Sequence, residues 1–383
     1  MICSAARCLA SGAIAAFACW AHTASAARAL ADWPTISVAE AGFRSDVAEQ
    51  LDKAVRNGEF RNLHALVVIR HGKLVLERYY AGPDERLGDA LGSVRFAPHV
   101  KHDLRSSSKS VVSLLYGIAL GEGIVPAIDE PLIDHFPMYR DLAANPQLAR
   151  IKVRHALTMT LGTRWNENVP FNDPRHSEIV MYSAADSNRF VLEQPVVEAP
   201  GTRWDYNGGT TQLLGALITR GSGTSLLDYA REKLFEPLSI QDVEWIGTAQ
   251  SDAAAASGLR LRPRDLAKIG QLVLNAGRWN DRQLVPARWL EQSLQSHVRT
   301  PPMNDEGEYT CGYQWGLVKM NGNHQRRIFA LPGNGGQRLT IIPELQLVVV
   351  IMAGNYNQQG QGQMPTDLMK RIVMGNLLEV SAD

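Results

Sequence analysis

Leu104-Arg105-Ser106-Ser107-Ser108-Lys109-Ser110-Val111-Val112-Ser113-Leu114-Leu115-Tyr116-Gly117-Ile118-Ala119-Leu120 reads as a helix with hydroxyls and one lysine at its entrance. From Val111 onward it is apolar on almost every side, the pattern of a helix buried in a large protein rather than of a surface helix with one wet face. If the helix begins at the serines, Ser106 and Lys109 stand three residues apart on one face of its first turn. That spacing suits a nucleophile and its base. Burial and the positive end of the helix dipole both lower a lysine pKa, so a neutral amine able to take a proton from Ser106 is expected. The same residues also fit a plain buried helix capped by Ser106 or Ser108, with the lysine reaching out to solvent.

Strand patterns flank this helix at a distance. Leu66–Ile69 and Leu74–Leu76 surround Arg70-His71-Gly72-Lys73, which predicts a β-hairpin with Gly72 in the turn. Far downstream, Tyr313–Met320, Ile328–Leu331, Leu339–Ile342 and Leu347–Met352 predict consecutive antiparallel strands. Helical spacing appears at 46–56, 153–159, 186–192, 211–218, 225–235 and 265–274, and a closing helix is expected from Thr366 to Leu378. The segment from Ala81 to Lys101 reads as a loop. The economical assembly is an α+β fold, with one antiparallel sheet built from both ends of the chain, residues 27–100 and 242–383. Residues 101–241 then form a mostly helical domain, with a cleft between the two parts.

Composition narrows the function. The chain has 383 residues, with 39 basic and 39 acidic side chains, so no charge excess points to nucleic acid. Met1 to Ala26 carries one charge, Arg7, then an uncharged run from Cys8 to Ala21 and the small residues Ala24-Ser25-Ala26. This is the order of a secretory signal peptide, and the run is short for a membrane span. Cleavage after Ala26 implies a secreted or periplasmic protein with no stable membrane span. Of four cysteines, Cys3, Cys8 and Cys19 would leave with the signal; Cys311 would remain, expected as a small buried residue.

Two more stretches can join the serine and lysine. Pro200-Gly201-Thr202-Arg203-Trp204-Asp205-Tyr206-Asn207-Gly208-Gly209 is a turn-rich lead into a helix. There the Tyr206 hydroxyl can face a cleft, with its pKa drawn down by a nearby lysine. Leu331-Pro332-Gly333-Asn334-Gly335-Gly336-Gln337-Arg338 lets a backbone come close to a ligand and offer N–H groups to an oxyanion. Alone, the first could be a packed aromatic and the second a bulge or turn.

In this order the features resemble the penicillin-recognising serine hydrolases, the family of class C β-lactamases, D-alanyl-D-alanine carboxypeptidases and related esterases and amidases. Residues 151–160 and 257–266 look like further landmarks of that family, and the likeness is strongest to its branch of 6-aminohexanoate-dimer hydrolase and esterase relatives. The resemblance implies a β-lactamase/transpeptidase-like fold. It makes Ser106 the acylated nucleophile, Lys109 the general base and Tyr206 the proton relay of a Y-x-N element. Gly333, Asn334 and Gly335 would match the K-T-G strand region and, with Ser106, supply the oxyanion hole; Asn207 and Arg260 join them as candidate substrate-binding residues.

Two departures matter. Gly208 stands where the Y-x-N asparagine belongs, and Leu331 stands where the K-T-G cation belongs. Arg260 or His324 could replace that charge, or be exposed structural residues. The losses point away from β-lactams and toward a simple ester or amide. A β-lactamase or D-alanyl-D-alanine carboxypeptidase, and a non-catalytic receptor, are the alternatives. No G-x-S-x-G, H-E-x-x-H, P-loop or paired-cysteine pattern is present, so neither metal nor cofactor is expected. Oligomeric state is not legible.

Overall fold

Two strands with no polar face form the centre of the protein. The computed structural model describes residues 33–170, 173–248, 251–301, 307–320 and 326–378. The predicted signal segment and His324 lie outside the described residues. The main sheet comprises β1 (Leu63–Arg70), β2 (Lys73–Tyr79), β3 (Val298–Arg299), β4 (Gly307–Cys311), β5 (Gly316–Met320), β6 (Arg327–Gly333), β7 (Gln337–Ile342) and β8 (Leu347–Ala353). Their spatial order is β3-β4-β5-β6-β7-β8-β1-β2, antiparallel throughout.

Every side chain of β8 is buried because both faces of the sheet are covered. Val348, Val350 and Met352 join Ala65, Val67 and Ile69 of β1 in one core. Val349 and Ile351 join Leu66 and Val68 in a second core on the opposite face. The second core is closed by α1 (Val47–Arg56) and by the C-terminal helical stretch from Gln363 to Asn376. The first lies under α2 (Ser108–Gly121), α3 (Ser177–Ser183), α4 (Gly208–Ser222), α5 (Pro263–Leu274) and α6 (Ala287–Ser293). In α5, a Cβ on Gly270 would stand 2.5 Å from Val348 Cγ1, so a bare glycine is what lets helix and sheet approach. No described helix is long and apolar enough to cross a membrane.

The β1–β2 hairpin closes through His71 (φ 50°) and Gly72 (φ 71°), two left-handed residues as a type I′ turn requires. Ala81–Lys101 is not a plain loop. Ala81–Arg86 pairs with Asp89–Arg95, and the second of these strands is mostly exposed, so it lacks the apolar alternation that would announce it. The strand expected from Tyr313 starts at Gly316, with β4 ahead of it. The closing helix starts earlier than Thr366, at Gln363, and loosens into a wider turn over Met369–Val373.

Helix α2 is buried from Ser108 to Ala119. It packs on α4 and α6. A Cβ on Gly117 would lie 2.1 Å from the Trp289 ring, whose indole N–H donates to the Ser113 carbonyl at 2.9 Å. Gly117→Ala should therefore overpack this contact and cost about 1–3 kcal/mol, read as a lower urea midpoint at unchanged m-value. An unaltered midpoint would mean that the indole can swing aside.

Candidate active site

The entrance of α2 is a strained turn. Arg105 has a left-handed backbone (φ 51°) that costs a side-chain-bearing residue about 1–2 kcal/mol, so its surroundings must impose it. Its buried guanidinium pairs with Glu85 and with Asp103 (3.1 Å) and lies 4.8 Å over the Tyr356 ring. On either side, Leu104 N–H donates to the Leu259 carbonyl (2.9 Å), Ser107 Oγ donates to the Leu331 carbonyl (2.7 Å) and Ser108 Oγ donates to the Arg105 carbonyl (2.7 Å). Ser106 alone in the run from His102 to Ala119 keeps partial exposure. The turn thus holds one hydroxyl outward and ties its neighbours inward.

Lys109 Nζ is 3.0 Å from Ser106 Oγ and donates to the Ala256 carbonyl at 3.3 Å. It also lies 4.9 Å over the Tyr206 ring and 3.8 Å from Glu178 Oε2. The expectation of a lowered lysine pKa is overturned. Burial does push it down, but Glu178 first, then Tyr206 and Glu167, outweigh burial and hold it above its ordinary value. Tyr206 also departs from expectation: burial raises its pKa more than Lys109 and the hydrogen bond with Ser106 lower it. Both shifts favour the protonated forms, an ammonium at Lys109 and a phenol at Tyr206.

Two glutamates that sequence reasoning did not find complete the surroundings. Glu178, on α3, is buried and accepts from the Tyr182 hydroxyl at 2.9 Å. Glu167 accepts from Trp165 Nε1 and from Gly208 N–H, each at 2.6 Å. Burial first and Glu178 second push Glu167 up to about 8, while Lys109 and two hydroxyls hold Glu178 below its ordinary value against burial. A Cβ on Gly208 would lie 2.8 Å from Glu178 Oε2 and 3.2 Å from Glu167 Oε1. The missing asparagine side chain at 208 was the available signal, because a buried vacancy beside a lysine must be filled by something.

Residues 51–367 match the Beta-lactamase family. The chain belongs to that family. It is a serine hydrolase of the superfamily, and its relatives spread over several activities. The 6-aminohexanoate-dimer hydrolase of Paenarthrobacter ureafaciens is 25% identical over 305 residues, covering 75% of this chain and 71% of that protein. Among solved structures, EstCE1, described as a hydrolase with promiscuous acyltransferase activity, superposes with a TM-score of 0.65 at 15% identity, over 88% of this chain and 98% of its own. The octameric penicillin-binding protein homologue of Pyrococcus abyssi gives a TM-score of 0.65 at 16% identity, over 88% and 78%. These likenesses carry the fold.

The other expected site residues divide. Gly333 ends β6 against the Ser106 turn, where a Cβ would be 2.3 Å from the Leu104 carbonyl, so glycine is needed for the approach. Gly335 (φ 97°) donates its N–H to Gln361 and is not free to bind an oxyanion. The Asn334 side chain is tied to Asn357 by two hydrogen bonds of 2.9 Å, while its backbone N–H meets no acceptor among the described residues. Asn207 is a helix cap rather than a substrate ligand: its Oδ1 accepts from Thr210 N–H at 3.2 Å. Arg260 is neither exposed nor offered to a substrate. It is buried on the strand Leu259–Leu261 and committed to Asp103 (3.2 Å) and Glu244 (3.7 Å). Cys311 is buried as expected, its thiol pushed up to about 12 by burial.

Among the described residues one group has a metal-ligand donor set, His64, Asp84 and His102, whose donor atoms lie within 4.8 Å of one another. Its protons are already matched internally. His102 Nδ1–H donates to the Asp103 carbonyl (2.9 Å), so a neutral His102 offers its Nε2 lone pair to His64 Nδ1–H (2.9 Å). Asp84 accepts from the Tyr356 hydroxyl at 2.8 Å. The cluster meets the Ser106 turn through Tyr356, whose ring lies 4.8 Å from the Arg105 guanidinium. Gln314 is a second element that the sequence did not disclose. Buried with φ 63°, it bonds Ser110 of α2, Thr210 and Thr211 of α4, and the Ala156 and Leu157 backbone, thereby joining sheet and helices.

Proposed function

We propose that this protein is a secreted or periplasmic hydrolase that cleaves an ester or amide through an acyl-enzyme at Ser106. The observation that carries the reading is the 3.0 Å contact between Ser106 Oγ and Lys109 Nζ at the mouth of a buried helix, with Tyr206 against both. Ser106 attacks the carbonyl carbon, Lys109 takes part in moving its proton, and Tyr206 hands a proton to the leaving group. The N–H groups of Ser106 and Asn334 receive the oxyanion. Water then releases the acid. Export rests on the signal-like order of residues 1–26.

The substrate end is marked by a loss of charge. Leu331, at the position of the family's gripping cation, is buried in the first core. Arg338, opposite Pro332 across the strand pair, is bonded to Thr366 Oγ1 at 2.9 Å and to the Gly362 carbonyl at 3.3 Å. No cation on this strand pair is presented to a substrate carboxylate, which favours a neutral acyl donor. Rates on p-nitrophenyl esters, short amides and nitrocefin test this, and faster turnover of nitrocefin than of any ester would sink it.

Lys109→Ala should lower kcat about 1,000-fold on such an ester. It should also destabilise the fold by about 3 kcal/mol, because it strands Glu178 as an unpaired buried charge. Adding Glu178→Gln should recover stability without recovering rate. Recovery of both would remove Lys109 from the chemistry.

A further inference from the structure

The groups that touch Ser106 Oγ hold their protons at rest, so the proton that leaves Ser106 needs a destination beyond them. Glu178 offers one. Its carboxylate and the Lys109 ammonium are each about 4% exposed or less and 3.8 Å apart. Its reach depends on Gly208, since any side chain there would collide with the Glu178 oxygen 2.8 Å from the Cβ position. Glu167 is anchored by Trp165 and the Gly208 N–H at the other side of the same vacancy.

Building on the acyl-enzyme reading, we propose that Glu178 is a positioning residue that works through Lys109, holding the ammonium against Ser106 and receiving the net proton during attack. As Ser106 Oγ bonds to the carbonyl carbon, its hydroxyl proton passes to Lys109 Nζ. One ammonium proton passes to Glu178. The ion pair, the neutral hydroxyl and the neutral carbonyl become an ammonium, a carboxylic acid and a tetrahedral oxyanion, with net charge unchanged. On collapse the carbon–leaving-group bond breaks and the leaving group takes a proton from Tyr206. Tyr206 is refilled by Lys109, and Lys109 by Glu178. The relay leaves the ammonium in place beside the new carboxylic acid, so a positive charge still faces the oxyanion in a dry site. Gly208 and Glu178 thus exchange the family's neutral asparagine for a charged partner.

The groups facing Glu178 are Lys109 from α2, Glu167 from its loop, Tyr206 from the lead into α4, Ser257, and Tyr182 and His176 from its own segment. The test is the pH profile, from 3 to 11, of kcat/KM on a p-nitrophenyl ester and of Ser106 labelling by a fluorophosphonate. It compares wild type, Glu178→Gln and Glu178→Asp, each checked for folding by circular dichroism. Wild type should show an acid limb below the ordinary glutamate value of about 4.3, because, against burial, Lys109 and two hydroxyls hold Glu178 down. Glu178→Gln should be about 100-fold slower at pH 7 and recover toward pH 10, because Lys109 must then lose a proton of its own. Glu178→Asp should keep the wild-type limb at reduced height.

A Glu178→Gln profile lower in height with its limb in the wild-type position would assign Glu178 a structural role and overturn the inference. A wild-type limb in the lysine range would overturn it without any variant. Failure of the acyl-enzyme reading looks different: no label would appear on Ser106 at any pH.

Discussion

Replacing Ser106 with alanine is expected to lower kcat on a p-nitrophenyl ester by at least about 10,000-fold, leaving only the rate that binding and the oxyanion donors supply. No neighbour can substitute. Lys109 is held as an ammonium, Tyr206 as a neutral phenol, and the Cys311 thiol is buried. The small change at a partly exposed position should leave the melting temperature within a few degrees of wild type. Intact-protein mass spectrometry supplies the second reading: wild type should gain the mass of one acyl group during turnover of a slow ester, and the alanine variant none. Full turnover by the variant, or an adduct that persists in it, would move the nucleophile elsewhere.

The largest expected effect on stability comes from acid. Burial first, reinforced by the neighbouring charge of His102 for His64 and of Arg260 and Arg105 for His102, pushes both histidines down to about 3 from a usual 6.5. In the unfolded chain each titrates near 6.5, so below that pH the unfolded state binds more protons than the folded one. The stabilising contribution is complete above about pH 6.5 and is lost as pH falls toward 3. With both histidines taking part, the unfolding free energy should fall by about 2.7 kcal/mol per pH unit across that window. His64→Asn keeps a donor where Nδ1 stood and should remove about half of that slope. Urea unfolding at pH 7, 6, 5 and 4 measures it, and equal slopes in variant and wild type would clear the histidine pair. Tyr356 and Asp84 link the pair to Arg105, so the Ser106 turn should loosen first, with activity falling ahead of global unfolding.

The parts of this protein legible in its sequence are those with a short-range signature. Helix α2 and strands β1, β7 and β8 are written as apolar runs with turn residues between them, and these fix the sheet and the buried helix. Ser106, Lys109 and Tyr206 lie in stretches whose family likeness is local in sequence. What could not be read depends on pairs far apart in the chain. Glu178 meets Lys109 across 69 residues, a separation at which periodicity carries no information, and it reverses the expected lysine pKa. Arg260 and Asn207 have side chains whose chemistry suits ligand binding, yet a carboxylate cluster and a helix end claimed them first. The hairpin after Ala81 is held by backbone pairing with an exposed strand, which leaves no apolar trace.

The pairing of β1 with β8 has a consequence for how the protein is made. β1 is complete at residue 70, but its central partner begins at Leu347, so the growing chain must carry a strand buried on both faces without that partner through nearly its whole synthesis. β6, to which Ser107 of the Ser106 turn is bonded, also arrives only after Arg327. A chain stopped short of Leu347 would contain every residue proposed for the chemistry and still be no enzyme. It would be a sticky intermediate whose unpaired edge invites proteolysis or aggregation. β8 is the last strand of the sheet to be made, and nonsense mutations just before Leu347 should be as damaging as early ones.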